Sequence, residues 1–346
     1  MGRLRWRGAG QVFGLGLART QARTLAPTLA RSLTLAGALM SLGAVKDAIP
    51  PALAWAYPVA PAGTPPTDEG PGPFKTPAGT LVTRAQLDAM GQNLPDWAPS
   101  QHPPAPPIIR HVTRKDGPAP CAECHGMAGA GLVTLPDLAG LPAPYIVEQL
   151  HAFRSGQRRS SQPGWLATNL MINEAKAVTD DEMGEAARYF AATPRRARIQ
   201  VIESDFAPAT RMERFGWLYR AGSGRQPLNG QVIEVPGSLV QMAMYDPALT
   251  QIVYAPRGAI ARGEALVQSG GAAGQPCASC HGAGLKGLGL APPLAGRDPS
   301  YLARMLWDIH SGARGGPPVA LMQAPARGLT PRQITEVSVY LASLKP

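Results

Sequence analysis

Apolar positions recur at helical spacing at corresponding places in two stretches of the chain. Thr179-Asp-Asp-Glu182 is a capping box, and Met183, Ala186, Ala187 and Phe190 continue it with a helical period, which predicts a helix near 180–192. Thr330-Pro331-Arg332-Gln333 opens a counterpart near 331–344, with proline at the first helical position. A second pair of helices is predicted near 145–154 and 300–310, each stopping at Ser-Gly. Gly258–Ser269 reads as a helix leading the later stretch. Its counterpart, His111–Gly117, is short and broken, so a reduced first helix is expected there. Between the two stretches the period changes. Ile199–Glu203, Gln231–Val235 and Ile252–Tyr254 alternate or run apolar as strands do, with turns at Gly222-Ser-Gly224 and Pro236-Gly237. A small sheet bracing the two stretches is expected over 196–257, and a plain extended linker is the alternative. Residues 57–120 hold 15 prolines in 64 positions and read as extended or polyproline structure, with only Thr83–Met90 patterned as a helix.

Composition sharpens this outline. At 346 residues the chain has room for two or three domains, and 45% hydrophobic residues exclude wholesale disorder. Aromatics make up only 6%, thin for cores filled by side chains alone. The net charge of +10 is uneven. Residues 1–56 carry six arginines and one lysine against one aspartate, so +6 of the +10 lies there and +4 remains for the rest. That balance leaves no basic stripe interleaved with aromatics, so no nucleic-acid partner is expected. No uncharged apolar run reaches the roughly 18 residues of a spanning helix, which excludes a multi-span membrane protein. Arg3 to Arg31 followed by the apolar Ser32–Val45 reads as an export signal, and Ala54-Trp55-Ala56 places the expected cleavage before Tyr57. An uncleaved N-terminal anchor giving membrane association is the competing reading, and a mitochondrial transit peptide is similar in composition.

All four cysteines fall in Cys121-Ala-Glu-Cys124-His125 and Cys277-Ala-Ser-Cys280-His281. Both are C-x-x-C-H, the attachment signature of c-type haem. Two thiols at that spacing reach the two vinyl groups on one haem edge, and the next residue turns its imidazole to the iron. A zinc site requires a second pair some 15–20 residues on, whereas 152 residues separate Cys124 from Cys277. A thioredoxin-like pair requires a βαβ context that is absent, and paired C-x-x-C followed twice by His does not read as structural disulfides. No cysteine is left over as a distal ligand or catalytic thiol.

The motifs lie in an internal repeat. From Cys121–Gly156 to Cys277–Gly312 the offset is a constant 156, and 15 of 36 positions are identical, among them Pro136/Pro292, Tyr145/Tyr301 and Ser155-Gly156/Ser311-Gly312. Beyond the glycines the offset becomes 151, with five extra residues in the first copy's Gln157–Leu170 loop. Met171 then matches Met322, on a loop between helices from which thioether sulfur reaches the iron face opposite the histidine and raises its potential. Methionine is usually a core filler. Of its rivals, however, Met127 is too close to His125, and neither Met183 nor Met305 recurs in the other copy.

These residues resemble the class I bacterial di-haem cytochromes c of the cytochrome c4 kind. The likeness rests on C-x-x-C-H-G followed by Leu-Ala-Gly, Tyr and Ser-Gly, and on a Met ahead of a Thr-capped helix ending Ala-Arg-Tyr-Phe or Ser-Val-Tyr-Leu. The resemblance implies a mainly α fold with two tandem class I cytochrome c domains joined by a segment with some β structure and preceded by a Pro-rich arm. The divisions are 1–56 signal or anchor, 57–110 arm, 111–195 first domain, 196–257 linker with strands, and 258–346 second domain. It implies two covalently bound haem c groups, one on Cys121, Cys124, His125 and Met171, the other on Cys277, Cys280, His281 and Met322. The arm, the 196–257 insert and the weak first helix depart from the family pattern.

The function expected is electron transport in the periplasm, without a catalytic residue. The donor would be a dehydrogenase or quinol-oxidising complex and the acceptor a terminal oxidase or reductase, with no open iron position left once both methionines are bound. Alternatives are a di-haem redox enzyme (a peroxidase or sulfur-compound dehydrogenase) and a cytochrome subunit of a membrane-bound dehydrogenase. His102, His111, His151 and His310 are the residues an enzyme would draw on as switch ligands or acid–base groups, and ordinary surface roles are the plainer reading. Arg154, Arg158, Arg159, Arg304 and Arg314 are candidates for haem propionates, with most expected in solvent. Tyr145 and Tyr301 are candidates for a propionate or for core packing, and Trp165 and Trp307 for packing on a haem.

Overall fold

The computed structural model describes residues 48–90, 94–115, 117–132, 135–213 and 215–346, so the Arg-rich segment and Ser32–Val45 lie outside the described residues. A 3-10 turn at Pro51–Ala56 comes first, then the short hairpin β1 (Phe74–Lys75) and β2 (Leu81–Val82), α1 (Arg84–Met90) and α2 (Pro107–Arg110). The first haem unit contains α3 (Cys121–His125), α4 (Ala143–Arg154), α5 (Leu166–Ala177) and α6 (Asp180–Ala192). The middle segment contains β3 (Ile199–Glu203), β4 (Phe206–Met212), β5 (Leu218–Pro227), β6 (Ile233–Pro236), α7 (Leu239–Ala243) and β7 (Gln251–Ala255). The second unit contains α8 (Ala259–Ser269), α9 (Ala278–His281), α10 (Pro299–Ser311), α11 (Ala320–Arg327) and α12 (Pro331–Ser343). The fold is mainly helical, with two cytochrome c-like regions around a small sheet.

The repeat in sequence is a repeat in hydrogen bonds. Both capping boxes form, at Thr179/Glu182 and Thr330/Gln333. The Gly140 N–H donates to Phe190 O at 2.9 Å, and the Gly296 N–H donates to Leu341 O at 2.8 Å, tying each haem loop to the last helix of its unit. In the second unit α8 crosses α12 at Gly263, where a Cβ would overlap the Glu336 carbonyl, so only glycine allows the approach. Among the described residues the first unit has no such helix. The four-residue α2 substitutes for it, with Ile108 and Ile109 buried in the same cluster as Tyr189 and Phe190 of α6.

In the sheet β7 is central, parallel to β3 and antiparallel to β6, and Val253 and Ala255 of β7 pack with Val339 of α12. The sheet is therefore built onto the second unit. Glu234 of β6 is buried there, accepting from the Ser300 N–H at 2.6 Å and Gln251 Nε2 at 2.6 Å, and burial raises its carboxyl to about 8.

Two expectations need correction. Met171 and Met322 stand on helices α5 and α11 rather than on loops. β4 and β5 form an antiparallel hairpin that alternation did not reveal, and Gly222-Ser-Gly224 lies inside β5 rather than at a turn. Trp165 and Trp307 are buried in a cluster with Leu53, Ala56 and Tyr57, which is how the protein fills that core. The segment around the expected cleavage point belongs to this core: Leu53 and Ala56 are fully buried, and the Tyr57 hydroxyl donates to Asp308 Oδ1 at 2.8 Å. A cut before Tyr57 would remove two of the cluster's members.

Candidate haem sites

Each C-x-x-C-H motif forms one short helical turn, α3 or α9, closed by a glycine at positive φ, Gly126 at 71° and Gly282 at 78°. The histidines that end the turns are 5% and 6% exposed. Their Nδ1 atoms lie 2.9 Å from Pro136 O and 2.9 Å from Pro292 O respectively. A carbonyl only accepts, so the ring proton sits on Nδ1 and Nε2 keeps its lone pair for a metal. Burial lowers the pKa of both imidazoles, which favours the neutral, ligating form. Burial also pushes the Cys121 and Cys124 thiols up to about 12 and raises Cys277. Met171 and Met322 are half-buried, whereas Met127 and Met183 are buried in the packing of their unit and Met305 Sδ lies 3.2 Å from Arg158 Nη2.

The two units meet about a local pseudo-twofold axis, which the repeat alone did not reveal. The Arg159 N–H donates to Ala313 O at 2.9 Å, and the Gly315 N–H donates to Gln157 O at 2.8 Å, with each bond the mirror of the other at the offset of 156. Side chains repeat the exchange. Arg158 Nη2 reaches the Tyr301 hydroxyl at 3.4 Å, and Arg314 Nη2 reaches the Tyr145 hydroxyl at 3.1 Å. Gln149 Oε1 accepts from both arginines, at 2.9 and 2.8 Å, and its counterpart Met305 breaks the symmetry.

This seam tests whether the residues fit a haem. Arg158, Arg297 and Arg314 are all buried, and Arg158 Nε, Arg297 Nη2 and Arg314 Nε have no hydrogen-bond partner among the described residues. Among the described residues Arg297 is the one of the three within ion-pair distance of a carboxylate, Asp137 Oδ2 at 3.8 Å, and Asp308 acts on Arg314 from farther away. Burial pushes the Tyr301 phenol upward, yet the Arg158, Arg314 and Arg297 guanidiniums together bring it down to about 8. A buried group of cations with unspent donors calls for anions, and the propionates of two haems supply charge and acceptors at once. The sequence named Arg158 and Arg314 but expected most of the arginines in solvent. Arg159 is exposed, Arg154 is spent on Asp180 Oδ1 and two carbonyls, and Arg304 belongs to the Tyr57–Asp308 network. Arg297, unmatched in the repeat, was missed.

The histidines outside the motifs are engaged elsewhere or exposed. His102 Nε2 lies 3.0 Å from Asp96 Oδ1 with Nδ1 at 2.9 Å from Pro103 O, and His310 stacks on Trp307 at 4.5 Å. His111 and His151 are exposed.

Comparison with known proteins agrees with this geometry. The family described as Cytochrome c matches residues 119–193. The thiosulfate dehydrogenase electron acceptor of Stutzerimonas stutzeri is 29% identical over 227 residues, 65% of this chain and 78% of the relative. Cytochrome c4 of Pseudomonas aeruginosa is 25% identical over 232 residues, 65% of this chain and 84% of the relative. Cytochrome c-554(547) of Halothiobacillus neapolitanus is 36% identical over 77 residues, 20% of this chain and 85% of the relative. Two C-x-x-C-H motifs in this setting imply two covalently bound haem c groups.

Proposed function

The chain belongs to the class I cytochromes c, as a di-haem homologue of the cytochrome c4 kind, and on that premise we propose that it carries electrons in the periplasm from a dehydrogenase or quinol-oxidising complex to a terminal oxidase or reductase. When bound, haem c supplies a one-electron iron couple. His125 and Met171 would hold one iron and His281 and Met322 the other, so that protein side chains rather than a substrate would bind both irons. The pseudo-twofold seam carries the reading. Arg158, Arg314, Tyr145 and Tyr301 reach across it in exchange, so each unit would help hold the other's prosthetic group and keep the pair at a fixed separation. Fixed, fully ligated groups joined by a rigid interface suit transfer rather than bond chemistry.

Relatives named as electron acceptors of thiosulfate dehydrogenase favour a donor of that class over a peroxidase role. Export by the N-terminal segment is part of the proposal; among the described residues no helix is long and apolar enough to cross a membrane. The test is to mix the oxidised holoprotein with thiosulfate dehydrogenase and thiosulfate and to follow haem reduction optically. Reduction of both haems without peroxide turnover by the holoprotein alone is expected. Peroxide turnover, with no reduction by any donor enzyme, would move the protein to the enzyme class.

A further inference from the structure

The repeat that pairs the haem motifs also pairs a filled groove with an open one. In the second unit the face between α10 and α12 is closed by the strap Leu53–Tyr57 and by the sheet. Leu53, Ala56 and Tyr57 pack on Ala303, Trp307 and Ile334. Val339 packs with Val253 and Ala255, and Trp55 lies against the same cluster. Hydrogen bonds fasten the strap: Arg304 Nη1 donates to Ala56 O at 2.7 Å, the Tyr57 hydroxyl to Asp308 Oδ1 at 2.8 Å, and the Trp55 indole to Thr335 Oγ1 at 3.3 Å.

The same face of the first unit, between α4 and α6, is an open groove of about 470 Å³. Its lining matches the covered face position by position. At the offset of 156, Val147, Glu148 and His151 stand where Ala303, Arg304 and Trp307 do, and at the offset of 151, Gly184 and Arg188 stand where Thr335 and Val339 do. The second-unit residues of these five pairs are all buried. Of their first-unit mates, Val147, Glu148 and Gly184 are half-buried, and His151 and Arg188 are exposed. The repeat therefore shows what kind of object fits such a groove: an extended peptide that presses an aromatic side chain between the two helices.

The differences between the two faces describe the occupant of the open one. Thr335, Ser338 and Asp308 are replaced by Gly184, Ala187 and Ala152. Those side chains offer no acceptor for an indole or a phenol, so the aromatic residue that enters has an apolar tip, as phenylalanine does. Arg304, which donates to a strap carbonyl, is replaced by Glu148, whose carboxylate only accepts. The occupant must bring a donor to that point, and a lysine brings one with a charge.

We propose that the groove between α4 and α6 docks an extended segment of a partner protein, with a phenylalanine seated against Val147 and a neighbouring lysine on Glu148, as the chain's own strap docks on the second unit. That the partner is a redox enzyme rests on the electron-carrier reading. The chemistry of the docked segment does not.

The test uses the exported holoprotein and a fluorescein-labelled peptide with the sequence of Ala52–Pro58 carrying Trp55→Phe, Ala56→Lys and Tyr57→Phe, followed by anisotropy. A second peptide carries Ala56→Glu instead of Ala56→Lys. The protein variants are Val147→Arg, Glu148→Lys and, as a control on the exposed arm, Leu81→Arg. Optical spectra and reduction by dithionite check that each variant keeps both haems. The wild-type protein and Leu81→Arg are expected to bind one lysine peptide per chain, and the glutamate peptide roughly tenfold more weakly. Val147→Arg is expected to weaken the lysine peptide roughly tenfold, and Glu148→Lys to reverse the preference between the two peptides. No binding by the wild-type protein, equal affinity for the two peptides, or binding untouched by Val147→Arg would overturn the proposal. A wild-type dimer in sedimentation that Val147→Arg dissociates would give the groove to a second copy, and peptide binding by the exported protein but not by the full-length chain would give it to residues 1–47. Either would overturn a partner's segment as the occupant. Failure of the carrier reading has a separate signature: catalytic turnover of peroxide or of a sulfur compound by the holoprotein alone.

Discussion

Arg314→Gln is expected to cost the holoprotein about 3–5 kcal/mol of stability and to lower the haem potentials. The range is that for removing one partner of a buried charge pair, because what is left is a buried charge without compensation. Arg314 is 6% exposed, holds the Tyr145 hydroxyl and Gln149 Oε1, and keeps Nε unspent. A positive charge near an iron favours the ferrous form. At about 10 Å and an effective dielectric near 20, one charge is worth about 1.7 kcal/mol, or on the order of 70 mV. Arg158→Gln is expected to act the same way across the pseudo-twofold axis, whereas Arg159→Gln, one residue away and exposed, is expected to change neither property. Thermal unfolding and spectroelectrochemical titration of the three holoproteins check this. Unchanged potentials in Arg314→Gln would place the propionates away from the seam.

Leu53→Ala is expected to destabilise the protein by about 3 kcal/mol, within the roughly 2–5 kcal/mol seen when a fully buried leucine is truncated. Leu53 has no exposed surface and packs with Ala56, Tyr57 and Trp165 against Ala303, Trp307 and Ile334 of α10 and α12. Polar bonds fix the strap as well: Arg304 Nη1 donates to Ala56 O at 2.7 Å, and the Trp55 indole donates to Thr335 Oγ1 at 3.3 Å. The same packing bears on processing. Ala54-Trp55-Ala56 satisfies a small-residue cleavage pattern, but cutting there discards Leu53 and Ala56 from the core. The mature chain is therefore expected to keep Pro51–Ala56, with its N-terminus upstream, as intact-mass measurement of the exported protein would show. A mass beginning at Tyr57, together with a stability indifferent to Leu53→Ala, would contradict both.

The local chemistry of the haem sites was legible because it is written locally. Cysteine spacing, the histidine after each pair, the prolines eleven residues on and the capping boxes are all short-range signals, and the repeat doubled each of them. The α5 and α11 helices escaped notice because Ala-Pro-Ala-Arg in one and a five-residue insertion before the other blur the apolar period. The β4–β5 hairpin was hidden because Gly-Ser-Gly, usually a turn, here runs through an exposed strand. The buried arginines were misjudged for a different reason. A charged residue is exposed unless something compensates it, and the compensation lies across an interface and in the prosthetic groups rather than in neighbouring residues. The strap of Leu53, Ala56 and Tyr57 depends in the same way on contacts between segments distant in sequence.

The central claim is two haems, each ligated by histidine and methionine. Its most direct test is the far-red charge-transfer band that methionine gives with ferric haem, measured on the oxidised holoprotein and divided by haem content from the pyridine haemochrome. Intensity for two methionine-ligated haems per chain is predicted, falling to one in either Met171→His or Met322→His. Intensity for one haem or none in the wild-type protein would contradict the account.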